Sequence, residues 1–345
     1  MYQPSETELR DRLTGFIAKQ TGGPVTVGEL TRYSVGFSWL TYGFEATWEE
    51  GGERQHRQLI ARIGPPDGVF APYSAVPQFV ALKAIEHSGV PVPRVYWYSD
   101  SHEVLGAPFF LMEKVEGEAP LPWVPGGGAA FDDVTRAALG EQFVAGLARL
   151  HSFDWHGTPA EQLDGARDVA QAAAAQIDFW ERYLRRHERQ PYPILEWGLL
   201  WLRANSPRAP RISVIHGDYR IGNFLVLEGR ISAMLDWELV HLGDPHQDLG
   251  WMCMRAFRGR SPLMCHLIAR DELYRRYQEL SGIVVDPRAV TFYEIFGTFT
   301  LAVMHVGAAN CFESGNFDDL RMAAMGAQLW RLLAQLERLL SGEAP

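Results

Sequence analysis

The chain has 345 residues, 47% of them hydrophobic, enough for one large core or two moderate ones, and its length suggests two domains. A formal net charge of −10 and a pI of about 5.6 argue against nucleic acid or an anionic membrane surface as the main partner, while leaving a cationic substrate or a metal-bound nucleotide open. Cys253, Cys265 and Cys311 are odd in number and form no C-x-x-C pair, so neither a disulfide framework nor a structural zinc site is indicated.

At the polar, acidic start, Ser5 and Glu8 are spaced as a helix capping box, and the pattern predicts an amphipathic helix over 5–20 that is unlike a signal peptide. No uninterrupted apolar run reaches membrane-spanning length, and the expected location is cytosolic. Strands are expected at 41–48 and 58–63, around a turn containing Gly51 and Gly52. A helix over 76–87 ends at Ser88 and Gly89, and strands follow at 95–99 and 109–115. Strands with one embedded helix compose a small α+β lobe. The Pro/Gly-rich stretch 119–130, centred on Gly126, Gly127 and Gly128, marks a lobe boundary or surface loop. Helical periodicity then covers 134–151, 166–189, 194–203, 262–282 and 287–340, broken by β-rich runs between 212 and 236.

That break holds the most informative residues. His216, Gly217 and Asp218 open it, Asn223 comes five residues after Asp218, and Asp236, Trp237 and Glu238 close it. Apolar runs at 224–227 and 231–235 around Glu228, Gly229 and Arg230 have the pattern of a short hairpin. Folding it puts Asn223 nearly opposite Asp236, with Cβ atoms roughly 5 Å apart, so an amide oxygen and a carboxylate can converge on one hard cation. Asp218 remains available to accept a proton. Phosphoryl-transfer enzymes of the protein-kinase type combine a loop Asp that orients the attacking hydroxyl with an Asn and a second Asp that hold Mg²⁺.

Together with the blocks at 89–95, 105–113, 150–155, 201–205 and 242–249, these residues resemble the aminoglycoside phosphotransferase and choline kinase superfamily. Within it the chain is most similar to the kinase domain of acyl-CoA dehydrogenase 10 and 11 type proteins. The resemblance implies an α+β, two-lobed, protein-kinase-like fold. Its parts would be a small, mostly antiparallel β N-lobe with a helix over 1–115, binding nucleotide, a hinge at about 111–117, and a larger helical C-lobe over 118–345 carrying a catalytic hairpin.

The implied activity is a Mg-ATP-dependent phosphotransferase acting on a hydroxyl of a small molecule, with ATP and Mg²⁺ as cofactors. Asp218 would be the catalytic base and Asn223 and Asp236 the Mg²⁺ ligands. Glu238, on the same face as Asp236 if the strand continues, would be a further metal ligand or a surface residue. In the first lobe, Ser34, Gly36 and Ser38 fall at the family's phosphate-covering turn, Arg62 at its phosphate-binding cation, and Gln78 at that cation's partner. Backbone groups over 111–115, including Glu113 and Val115, would contact adenine.

Three departures stand out: Trp39 where the commonest pattern has asparagine, which makes the phosphate-covering turn bulkier, Arg62 where most members have lysine, and Gln78 where a glutamate is usual. Further expectations are that His216 supports the loop and that Asp244 and Asp248 bind backbone N–H groups around it. Implied partners are a hydroxylated small molecule, with no nucleic acid and no membrane; the oligomeric state stays open. Alternatives are an aminoglycoside O-phosphotransferase conferring antibiotic resistance and a nucleotide-binding pseudokinase without turnover. Glu313, Asp318 and Asp319 would suit a polycation, whereas Trp251, Phe257, Phe292, Tyr293, Phe296 and Trp330 suit a core or, secondarily, a partly apolar substrate.

Overall fold

The computed structural model describes residues 5–33, 38–65, 67–121, 131–315 and 319–342. Ser34, Gly36, Gly126, Gly127, Gly128 and Asp318 lie outside the described residues. The chain divides into two compact units, Met1–Lys83 with Pro93–Val115, and Ala84–Val92 with Glu116–Pro345.

In the first unit, helix α1 (Glu6–Thr21) starts where Ser5 Oγ accepts the Glu8 N–H at 3.2 Å and stops at Gly22, which is left-handed with φ 73°. Then come β1 (Val25–Val27), β2 (Thr31–Tyr33), β3 (Leu40–Glu50), β4 (Glu53–Ile63), α2 (Val76–Ile85), β5 (Val95–Ser99), α3 (His102–Leu105) and β6 (Phe109–Glu113). The strands form one antiparallel sheet in the order β1-β3-β4-β6-β5, with β2 also on β3. Alternate residues Phe44, Ala46 and Trp48 of β3 and Leu59, Ala61 and Ile63 of β4 share a core with Leu9, Leu13, Phe16 and Ile17 of α1. Strands β1 and β2 escape the sequence pattern because three residues are too few to show a period of two.

The second unit contains α4 (Asp133–Ser152), a 3₁₀ turn (Pro159–Gln162), α5 (Ala172–His187), α6 (Pro193–Ala204), β7 (Ser213–Ile215), β8 (Phe224–Leu227), β9 (Arg230–Met234) and β10 (His241–Gly243). It continues with α7 (His246–Cys253), α8 (Arg255–Arg258), β11 (Leu263–Met264), β12 (Ile268–Ala269), α9 (Arg270–Ser281), α10 (Pro287–Glu313) and α11 (Leu320–Leu340). Two expected helices are each divided. The 262–282 span opens with the hairpin β11–β12, turning through Cys265 and His266 at φ 48° and 61°, before α9 begins. The 287–340 span breaks between α10 and α11, where Asp319 caps α11 by accepting the Arg321 N–H at 2.9 Å.

Helix α10 is long and apolar enough to cross a membrane by length and composition, although it contains no uninterrupted apolar run of that length. Glu294, Thr298, Thr300 and His305 interrupt its apolar stretches. It serves as a core helix: 72% of its most apolar window is buried, and it packs against α5, α6, α7 and α11.

Candidate active site

Strands β8 and β9 pair with Phe224 opposite Met234 and turn through Glu228 and Gly229, both left-handed at φ 50° and 74°. A two-residue turn with both φ positive matches the twist of a hairpin. Accordingly β9 starts at Arg230, one residue before the sequence pattern places it. Just beyond the ladder Asn223 O accepts the Leu235 N–H at 2.7 Å, which leaves Asp236 one step past direct opposition to Asn223. Strand β9 ends at Met234, Asp236 takes φ 65°, and Glu238 sits in a turn. The expectation that strand alternation carries Glu238 onto the face of Asp236 therefore fails, because the backbone leaves the extended region between them.

Asp218 is half-buried and held by three side chains. Its Oδ1 accepts from Trp251 Nε1 at 2.7 Å and from Arg220 Nε at 2.8 Å, and its Oδ2 accepts from Asn223 Nδ2 at 2.5 Å. The Asn223 amide nitrogen also reaches Asp218 O at 3.0 Å, so its donors are spent on Asp218, and its amide oxygen accepts no hydrogen bond among the described residues. Arg220 further donates to Ile221 O at 3.1 Å and lies 5.2 Å above the Phe257 ring.

Beneath this loop Asp248 is wholly buried. It accepts the backbone N–H groups of His216 at 2.8 Å and Gly217 at 2.9 Å, and His151 Nε2 at 3.1 Å. Burial by itself would raise the Asp248 carboxyl, but the hydrogen bond and charge of His151, together with His216, hold it below the ordinary carboxylate range. Asp244, expected at the same loop, accepts the His246 N–H at 2.9 Å and His246 Nδ1 at 2.8 Å instead, turning its carboxylate to the start of α7. His216 donates Nε2–H to Leu235 O at 2.9 Å and accepts the Asp218 N–H at Nδ1 at 3.2 Å. Burial keeps its pKa below the ordinary histidine value, so both ring nitrogens of a neutral imidazole are spent tying the two ends of the hairpin together.

The sequence suits Trp251 to an aromatic core or acceptor segment, and the structure adds a direct bond to Asp218. It follows Asp248 by three residues on α7, and that spacing, which puts both side chains on one helix face, is the one sequence signal that could have joined them. Of the other aromatic residues named, Phe292, Tyr293 and Phe296 are buried, Trp330 is exposed and Phe257 lies half-buried beside Arg220. Helix α7 sits tightly on α10: a Cβ at Gly250 would fall 2.6 Å from Tyr293 Cβ, and one at Gly297 would fall 2.5 Å from Met254 Sδ.

In the first unit, Ser38 is buried, and Trp39, at 5% exposure, stands edge-on to Tyr73 and Phe110 at 5.3 and 5.9 Å between ring centres. Trp39 thus packs into its own unit, where sequence had suggested added bulk on the phosphate turn. Arg62 is half-buried on β4, opposite Thr41 and Phe110. Gln78 is 3% exposed, and among the described residues its Nε2 has no hydrogen-bond partner and no hydrogen bond joins it to Arg62. The N–H groups of Glu113 and Lys114 donate to Arg94 O at 2.8 Å and Gln58 O at 3.0 Å, whereas the Val115 N–H has no acceptor among the described residues.

An antiparallel β unit followed by a helical unit bearing this loop and hairpin defines a protein of the protein-kinase-like class. The chain belongs to the phosphotransferase enzyme family, whose model matches residues 36–289. Over 314 residues it is 28% identical to acyl-CoA dehydrogenase family member 10 of Mus musculus, covering 87% of this chain and 28% of that protein. Over 326 residues it is 28% identical to family member 11 of Rattus norvegicus, covering 90% of this chain and 39% of that one. The chain therefore spans well under half the length of these relatives. Among solved structures it is similar to a presumed aminoglycoside phosphotransferase of Ralstonia eutropha, with a TM-score of 0.72, 20% identity and coverage of 97% and 99% of the two chains. It is also similar to a thermostable mutant of the aminoglycoside phosphotransferase APH(4)-Ia in ternary complex with ADP and hygromycin B, with a TM-score of 0.58, 15% identity and coverage of 96% and 99%. These likenesses share the fold.

Proposed function

We propose that this phosphotransferase is a Mg-ATP-dependent kinase acting on a hydroxyl of a small molecule, with Asp218 as the proton acceptor. The observation that carries this reading is the Asp218–Asn223 pair: the carboxylate is fixed by three donors, and Asn223, bonded through its nitrogen, keeps its amide oxygen unengaged. Asn223 and Asp236 would supply hard oxygen ligands to Mg²⁺, with Glu238 a further candidate. Among the described residues no group of three or more His, Cys, Asp or Glu side chains is placed to hold a metal, which suits a cation completed by phosphate and water oxygens. Arg62 would bind phosphate in the place usual for lysine. The unpartnered Gln78 amide is a buried donor that a phosphate oxygen would satisfy. At the adenine segment, the Val115 N–H is the donor left available. Ser34, Gly36 and Ser38 are assigned to the phosphates by family resemblance.

Bound Mg-ATP supplies the transferable phosphoryl group and neutralises its developing charge. The chain's own residues do the rest: Asp218 orients the acceptor hydroxyl and takes its proton, and Arg220 adds positive charge beside it. We assign residues 1–115 to nucleotide binding and 118–345 to catalysis and acceptor binding. The acceptor is proposed to be a partly apolar hydroxylated small molecule, with Phe257 the named aromatic residue adjoining Arg220.

The test is a coupled ADP-release assay comparing aminoglycosides such as kanamycin, choline, and hydroxylated acyl or ring compounds at matched concentrations. Turnover of a hydroxylated acyl or ring compound is expected. Efficient turnover of an aminoglycoside alone would favour the resistance reading, and nucleotide binding without turnover of any acceptor would favour a pseudokinase. Asp218→Asn is expected to cut transfer by about 10²- to 10⁴-fold with ATP affinity nearly unchanged; near-wild-type turnover would remove Asp218 from the mechanism.

A further inference from the structure

We propose that Trp251 is a positioning residue for phosphoryl transfer: its indole N–H fixes Oδ1 of Asp218 and so presents Oδ2 to the acceptor hydroxyl. This inference rests on reading Asp218 as the proton acceptor.

The geometry divides the carboxylate into two unlike oxygens. Oδ1 receives both Trp251 Nε1 at 2.7 Å and Arg220 Nε at 2.8 Å, so its two lone-pair directions are occupied. Oδ2 receives Asn223 Nδ2 alone, which leaves one acceptor direction for a substrate proton. Rotation about the terminal torsion of an aspartate is soft, so an unbraced carboxylate would swing its open acceptor direction away from the substrate hydroxyl. Here such a rotation would break three hydrogen bonds, and it would also release the Asn223 amide whose oxygen is proposed for the metal.

The brace is itself rigid. Trp251 is 4% exposed, its indole can only donate, and Asp218 Oδ1 is its acceptor. Behind it, a Cβ at Gly297 would lie 3.1 Å from Trp251 Cε3, so α10 approaches the indole as closely as a glycine permits. To one side the Phe257 ring is centred 5.4 Å from Trp251 and carries the Arg220 guanidinium at 5.2 Å, so both donors to Oδ1 are steadied by the same ring. One turn earlier on the same helix face, Asp248 holds the N–H groups of His216 and Gly217. Helix α7 thus fixes the loop backbone through Asp248 and, through Trp251, the side chain that follows. An aromatic residue without an N–H would fill the space and leave the carboxylate free to turn.

The experiment is a double-mutant cycle on the intact chain, with the acceptor that supports turnover. Trp251→Phe is expected to lower kcat by about 10- to 100-fold, the loss of one hydrogen bond to a charged group, with KM for ATP unchanged. In an Asp218→Asn background the same change is expected to have no further effect on residual turnover, because the indole acts through the carboxylate. Losses that multiply in the double variant would overturn the proposal, since a merely structural tryptophan would behave that way. Replacing Trp251 with its benzothienyl isostere, which keeps the ring shape without the N–H, separates the bond from packing and covers a poorly folding Trp251→Phe. The isostere is expected to reproduce the loss at an unchanged Tm, and full activity would overturn the proposal. Full turnover in Asp218→Asn alone would instead overturn the proton-acceptor reading, and this inference with it.

Discussion

His151 donates its Nε2–H to Asp248 at 3.1 Å with both side chains fully excluded from solvent, and Asp248 is the residue that holds the backbone of the loop bearing Asp218. Because the Asp248 carboxyl is held below its ordinary value, its contribution to stability is present above about pH 3.8 and is lost as pH falls through the folded value. Asp248→Asn should destabilise the protein by about 3 kcal/mol near neutral pH, through weakened charge-assisted hydrogen bonds to the His216 and Gly217 N–H groups. Urea unfolding of both proteins at pH 7 and pH 3.5 checks this. The gap between them should narrow at the lower pH, and an unchanged gap would count against the ionised carboxylate as its source.

His241 carries the opposite kind of group with the same sign. Burial outweighs its contacts to Leu239 O and Gln247 and lowers its pKa, so the folded ring stays neutral while the unfolded chain binds a proton below about pH 6.5. Stability should fall as pH drops from 6.5 toward the lowered folded value, by up to about 1.4 kcal/mol per pH unit from this residue. Denaturant titrations at pH 7.5 and 5.5 should show a smaller decline in His241→Gln than in the wild type. Equal declines would mean that other groups set the slope.

Gly217 and Gly229 are both left-handed, at φ 85° and 74°, but of the two Gly217 is crowded: a Cβ there would lie 2.6 Å from Leu239 Cβ and Leu239 O, while at Gly229 no atom of the described residues lies within 4 Å. Gly217→Ala should therefore cost about 3 kcal/mol through strain plus displacement of the loop, and Gly229→Ala about 1 kcal/mol through strain alone. Thermal melts and turnover of the two variants provide the check. Comparable effects would show that the loop can move away from Leu239 at little cost.

Asp236→Ala should weaken Mg²⁺-dependent ATP binding, and Arg62→Ala should raise the KM for ATP by about tenfold, the worth of one charge-assisted contact. Calorimetry with and without Mg²⁺ separates the two, because only the Asp236 effect should vanish when the metal is withheld. The same Mg-ATP affinity before and after Asp236→Ala would remove that residue from the metal site.

The parts of this site that sequence shows are those set locally. Asp218 and Asn223 stand on one short loop, and the Gly229 turn fixes the hairpin, so their proximity follows from spacing alone. What sequence misplaced came from backbone geometry and distant packing. A turn of two residues moved β9 by one position, and the left-handed Asp236 removed the alternation on which Glu238 depended. Trp39 read as bulk on a loop because nothing nearby shows that Tyr73 and Phe110 receive it. Trp251 lies 33 residues from Asp218, and their bond exists only once α7 has been laid beneath the loop.

Gly250 and Gly297 leave no room for a single methyl group along the seam between α7 and α10. Since α7 presents both Asp248 and Trp251 to the loop, a side chain added at either glycine would displace the helix that carries them, so the site's geometry is set partly by two positions that bear no side chain at all. Variants that change acceptor preference while keeping turnover are therefore expected to leave Gly250 and Gly297 as glycine.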